Sequence, residues 1–153
     1  LAAGMIFCTV FVEGCGPRPP ALTPVSGVVK MNGKPVPNAL VQFVPSIQGF
    51  GGEFIAEGVT DQNGRFELSC TRGKGACVGE NLVIVSEGPT PADVRGASAE
   101  AQMKATQYFA SLTNRPIPEK FCTAAQSPLK VVVTIEQSIY DIDLTAGKVT
   151  ASR

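Results

Sequence analysis

From residue 24 to 69, apolar and polar residues alternate in short runs broken by Asn32-Gly33, Pro35-Val36-Pro37-Asn38 and Asp61-Gln62-Asn63-Gly64. A period of two sends alternate side chains to opposite faces of an extended chain, and Asn-Gly pairs and Asp/Asn/Gly tetrads supply tight-turn backbone conformations. No helix of ordinary length fits between such breaks. The stretch predicts strands over 25–31, 40–44 (ended by Pro45), 54–60 and 65–70. The last two read as a hairpin across 61–64, with Phe66, Leu68 and Cys70 facing the core and Arg65, Glu67 and Ser69 facing away.

Further strands are expected at 80–87, at 129–135 with Leu129, Val131, Val133 and Ile135 on one face, and at 139–144, where Tyr140, Ile142 and Leu144 oppose Asp141 and Asp143. Residues 146–153 read as a frayed tail. Between the strands, 97–113 is Ala-rich, with Ala101, Ala105, Tyr108, Phe109 and Leu112 at helical spacing, and Asn114-Arg115-Pro116 stops it. The fold class predicted is all-β: an antiparallel sandwich of about seven strands with one short helical insert packed against it.

At 153 residues the chain can bury one core. Thirteen Lys and Arg balance thirteen Asp and Glu, and no basic run is interleaved with aromatics, so no nucleic-acid partner is expected. The sequence contains no histidine. That excludes Ser-His and Cys-His nucleophile pairs, His-ligated metals and an imidazole general base, and the chain is expected to be no enzyme and to need no cofactor or metal.

Weaker motifs dissolve on inspection. Ser127 and Lys130 have S-x-x-K spacing, but Pro128 and the valines after Lys130 predict a strand, which carries the two side chains apart. Asp61, Asn63 and Gly64 start like a calcium loop, yet its closing ligands are missing. Asp141 and Asp143 read as the solvent face of a strand. Gly73-Lys74-Gly75 lacks the spacing of a phosphate loop.

Residues 1–14 carry about a dozen mostly apolar residues, the length of a signal-peptide core and too short to span a bilayer. They are expected to be part of a signal peptide. Val12-Glu13-Gly14-Cys15 resembles a bacterial lipobox, with Glu13 where a small or apolar residue is usual. The resemblance implies lipidation of Cys15, with the Pro-rich residues 15–24 as a tether. Cys70 and Cys77 enclose a Gly-containing loop and form a candidate disulfide in an exported protein, which leaves Cys122 unpaired.

The ordered set VSGVVKMNGKPVPNALVQFVP, GVTDQNGRFELS, IPEKF, SPLKVVVTI and IYDIDL resembles the carboxypeptidase-regulatory-like, transthyretin-like domain of bacterial envelope lipoproteins, over 25–145. It implies a prealbumin-type sandwich, exported and lipid-anchored to the cell envelope, at the outer membrane or facing the periplasm, and brings no catalytic residues. Related hydroxyisourate hydrolases rely on His and a C-terminal Tyr-Arg-Gly-Ser, and intradiol dioxygenases on His and Tyr; this chain lacks those sets. The function expected is that of a structural or protein-interaction module. Its partners are the membrane, through the anchor, and envelope proteins or polysaccharide. The alternative is a secreted or periplasmic small-ligand or carbohydrate binder. The binding face is expected within 47–52, 70–77 and 89–121, with Tyr108, Phe109 and Phe121 lining a groove.

Overall fold

The computed structural model describes residues 16 and 18–152. The candidate lipidation site Cys15 and the segment 1–14 lie outside them. Strands β1 (Leu22–Thr23), β2 (Ser26–Met31), β3 (Lys34–Pro35), β4 (Ala39–Pro45) and β5 (Ala56–Val59) come first, followed by β6 (Arg65–Glu67), β7 (Ser69–Cys70), β8 (Gly73–Lys74), β9 (Ala76–Cys77) and β10 (Gly79–Glu87). Helix α1 (Ala99–Ser111) precedes β11 (Lys130–Val133), β12 (Ile139–Asp143) and β13 (Lys148–Ser152).

One sheet runs β11-β10-β4-β5-β7-β8; the second runs β13-β12-β2-β3, with β6 sharing the β3 side of β2. A two-residue ribbon pairs β1 with β9. Alternation decides which faces meet. Val41 and Phe43 of β4 and Val83 and Val85 of β10 point inward from the first sheet, Val29 of β2 and Tyr140 and Ile142 of β12 from the second, and all are at most 1% exposed. The Phe43 ring sits 6.5 Å from Phe66 and 6.4 Å from Tyr140, bridging the two sheets. The fold is therefore a mostly-β sandwich. The Asn32-Gly33 turn forms as expected: both residues have positive φ (55° and 74°) between the paired Met31 and Lys34.

Four expectations are corrected. First, 65–70 is not one strand of a hairpin: β6 pairs with β2 in one sheet, while β7 meets β5 in the other through Glu57 and Ser69, so the chain changes sheets at Leu68. Second, the sheets are antiparallel except at β2–β12, where Ser26, Val29 and Lys30 run parallel to Ile139, Ile142 and Asp143. Third, the supposed frayed tail contains β13, which pairs along the whole of β12. Fourth, Ile135 lies in the turn after β11 and is 70% exposed, off the buried face of Leu129 and Val133. The expected tether also reaches into the fold, because β1 lies within it and Thr23 is buried.

Candidate functional site

The long connection from β10 to β11 builds a crevice against the body of the sandwich. Its helix begins at Ser98, whose hydroxyl accepts from the Ala101 amide at 3.1 Å, and an exposed Glu100–Lys104 pair at 3.0 Å spans one turn. Ala, Glu, Gln, Met and Lys, all strong helix formers, carry it to Ser111. The inner side of α1 turns Ala101, Tyr108 and Leu112 toward the body, whereas Met103 and Phe109 stay 59% and 57% exposed.

The return of the chain is locked by Asn114 and Arg115. Asn114 adopts φ 59° and its amide donates to the carbonyls of Met31 and Lys34, both at 2.9 Å, seating it on the β2–β3 turn. Arg115 donates to Glu87 Oε2 at 2.9 Å, to Thr113 O at 3.1 Å and to the carbonyls of Pro37 and Asn38. Its guanidinium is spent on its own chain. Arg115 is a clamp rather than a receptor for an anion.

Between α1 and the body lies a groove of about 330 Å³. Tyr108, Phe109 and Leu112 form its apolar wall, Asn38 and Gly88 its floor, and Thr90, Glu87 and Arg115 its polar rim. The Tyr108 and Phe109 rings meet edge to face at 5.2 Å. The Asn38 amide donates to the Tyr108 hydroxyl, which keeps one proton of its own to donate. The groove thus combines aromatic surface, one hydroxyl donor and carboxylate acceptor capacity at Glu87, a mixture suited to recognising an amphipathic side chain or peptide.

Of the three predicted groove residues, the structure brings Tyr108 and Phe109 together and removes Phe121. Phe121 is fully buried, packed with Ile117 and Leu129 in the core. Segment 117–129 lies along β10 ahead of the start of β11: Ser127 donates its hydroxyl to Val83 O, and the Val83 amide donates to Leu129 O at 2.9 Å. Sequence reasoning missed Asn38, Glu87 and Arg115; they gather beside α1 only through the fold, and the one local signal was Arg115 within the helix stop.

Among the described residues, Cys70, Cys77 and Cys122 are free thiols, so the candidate Cys70–Cys77 disulfide is not formed in this structure. The chain reverses earlier than expected, pairing Cys70 with Gly73, and Cys77 belongs to β9 opposite Leu22. Burial pushes the Cys77 thiol up to about 11, with Cys70 nearby adding to the rise. Burial likewise raises Cys122, reinforced by Glu87 and then Glu119. Both thiols are protonated at neutral pH and are poor nucleophiles there.

A wider trough of about 720 Å³ crosses the outer face of the second sheet near Val28, Arg65 and Asp141. Its central carboxylate is occupied: Asp141 Oδ1 accepts from the Val28 amide at 3.1 Å and Oδ2 from Ser152 Oγ at 2.7 Å. Asp143 Oδ1 caps the following turn, accepting from Thr145 and Ala146 amides at 2.9 and 3.1 Å. Asp61 Oδ1 does the same for Asn63 and Arg65 at 2.8 and 3.0 Å. Lys130 reaches out to Glu80 at 3.9 Å, while Ser127 points to Val83. No family model matches the chain, and neither a curated protein nor a solved structure does.

Proposed function

We propose that this chain is a non-catalytic, lipid-tethered module of the bacterial cell envelope: a prealbumin-type, carboxypeptidase-regulatory-like sandwich that engages a protein partner through the groove beneath α1. In this reading the acylated Cys15 anchors the chain, the Pro-rich residues after it give reach, and the sandwich holds the groove rigidly. The observation that carries the recognition half is Phe109, left 57% exposed beside Tyr108 at the mouth of a crevice whose polar rim is already locked in place. An exposed aromatic at a preorganised crevice is the usual anchor point of a protein contact. The described carboxylates reviewed above hold turns and sheets together, which favours binding over catalysis.

Photocrosslinking in cells tests this. A benzoylphenylalanine in place of Phe109 is expected to give a discrete protein adduct, and one in place of exposed Thr150 on β13 is not. Adding Tyr108→Ser should lower the adduct yield about tenfold, the effect of losing roughly 1.4 kcal/mol at one aromatic anchor. Equal yields from both positions, or none from Phe109, would overturn the groove as the recognition surface.

A further inference from the structure

The arm that carries α1 is joined to the sandwich firmly at its two ends and hardly at all between them. At one end the Gly88 amide donates to Asn38 O at 2.9 Å; at the other, Asn114 and Arg115 are bonded to backbone carbonyls and to Glu87. Across residues 89–112 the hydrogen bonds and the Glu100–Lys104 ion pair stay inside the arm, with one exception among the described residues. The exception is the Asn38 amide, which donates to the Tyr108 hydroxyl. Apolar contact is as thin. No residue of 89–112 belongs to the hydrophobic core, only Ala101 of the 13 residues of α1 is buried, and Tyr108 and Leu112 are half-buried.

A helix of about 12–15 residues is marginal in water without tertiary support. With 13 residues, α1 therefore needs its docking to stay helical. We infer that α1 is an order–disorder gate over the groove: residues 89–112 dock and fold as one unit, and undock and melt as one unit while the sandwich stays intact, with the Asn38–Tyr108 hydrogen bond as the latch. One hydrogen bond and two half-buried side chains hold the closed state, so the open state is populated at about 0.1–10%. Segments with few buried contacts open on their own, at less cost than global unfolding. When the arm leaves, the polar rim remains, because Glu87 is paired with Ala39 and Arg115 is held by the carbonyls of Pro37 and Asn38. What the gate does for a partner rests on the groove reading: the partner meets Glu87 and Arg115 first, and Tyr108 and Phe109 fold down over the bound side chain. The gate itself does not depend on that reading.

Hydrogen exchange of the free full chain tests the gate, read by mass spectrometry under conditions where exchange follows the opening equilibrium. The α1 amides should be protected at least about a hundredfold less than those of β10, which open only with the whole fold. Tyr108→Phe keeps the ring and removes the latch hydroxyl. It should lower α1 protection by a further factor of about three to ten and leave β10 unchanged. Met103→Gln, at an exposed position of α1, should change neither. Protection of α1 equal to that of β10 overturns the inference, and so does an α1 with no protection, which would mean that the arm never docks. Weak protection indifferent to Tyr108→Phe overturns the latch. If exchange follows the expected pattern and the Phe109 crosslink fails, the gate stands and the groove reading falls.

Discussion

Gly27→Ala is expected to leave the chain largely unfolded in water at 25 °C. A Cβ at this position would lie 1.9 Å from the Tyr140 carbonyl oxygen and 2.7 Å from its carbon, with the Phe66 ring tip at 3.0 Å. The two nearest obstructing atoms are backbone, and they cannot retreat. Ser26–Ile139 and Val29–Ile142 pin β2 to β12 on both sides of the contact. The Tyr140 hydroxyl is held as well, donating to Gln137 O and accepting from the Thr134 amide, both at 3.1 Å. Relief requires parting the one parallel pairing that closes the second sheet. The cost should reach roughly 4 kcal/mol or more, at the extreme end for a single substitution and comparable with the whole stability of many domains. Urea denaturation followed by circular dichroism measures it. A loss below about 1 kcal/mol would mean that β2 and β12 do not approach this closely.

Phe43→Ala should cost nearly as much, about 3–5 kcal/mol. The ring is fully buried on β4 and touches Phe66 of β6 and Tyr140 of β12, so its removal opens a cavity at the seam between the sheets. Those neighbours are fixed by their strands and refill the space poorly. Phe109→Ala, a change of the same chemistry at an exposed position, should stay within about 0.5 kcal/mol. If the two variants melted together, Phe43 would not be the keystone of the core.

The contrast between these phenylalanines shows where sequence reading stops. Strands β2, β4, β10 and β12 announce themselves because period-two alternation is a local property and Asn32-Gly33 fixes its turn locally. Which sheet a strand joins is not local. Nothing in the residues from Arg65 to Cys70 marks Leu68 as the point where the chain leaves β2 for β5. β13 was missed because an edge strand with one neighbour needs little apolar surface, and Lys-Val-Thr-Ala-Ser offers little. In the insert, the helical stripe put Tyr108 and Phe109 together on α1, where they line the groove, but Phe121 looked equally available. It is buried because β11 begins only at Lys130, opposite Leu82, and the preceding segment must cover the rest of β10. The polar half of the groove was invisible for the same reason: Asn38 lies 70 residues from Tyr108, and Arg115 lies 28 from Glu87.

The intact mass of the native protein extracted from membranes bears on the tether itself. The tethered reading predicts a mature chain that begins at Cys15 and carries the mass excess of its acyl groups. A chain released to the soluble fraction, cut elsewhere and carrying no lipid, would contradict it and make the sandwich a secreted binding protein.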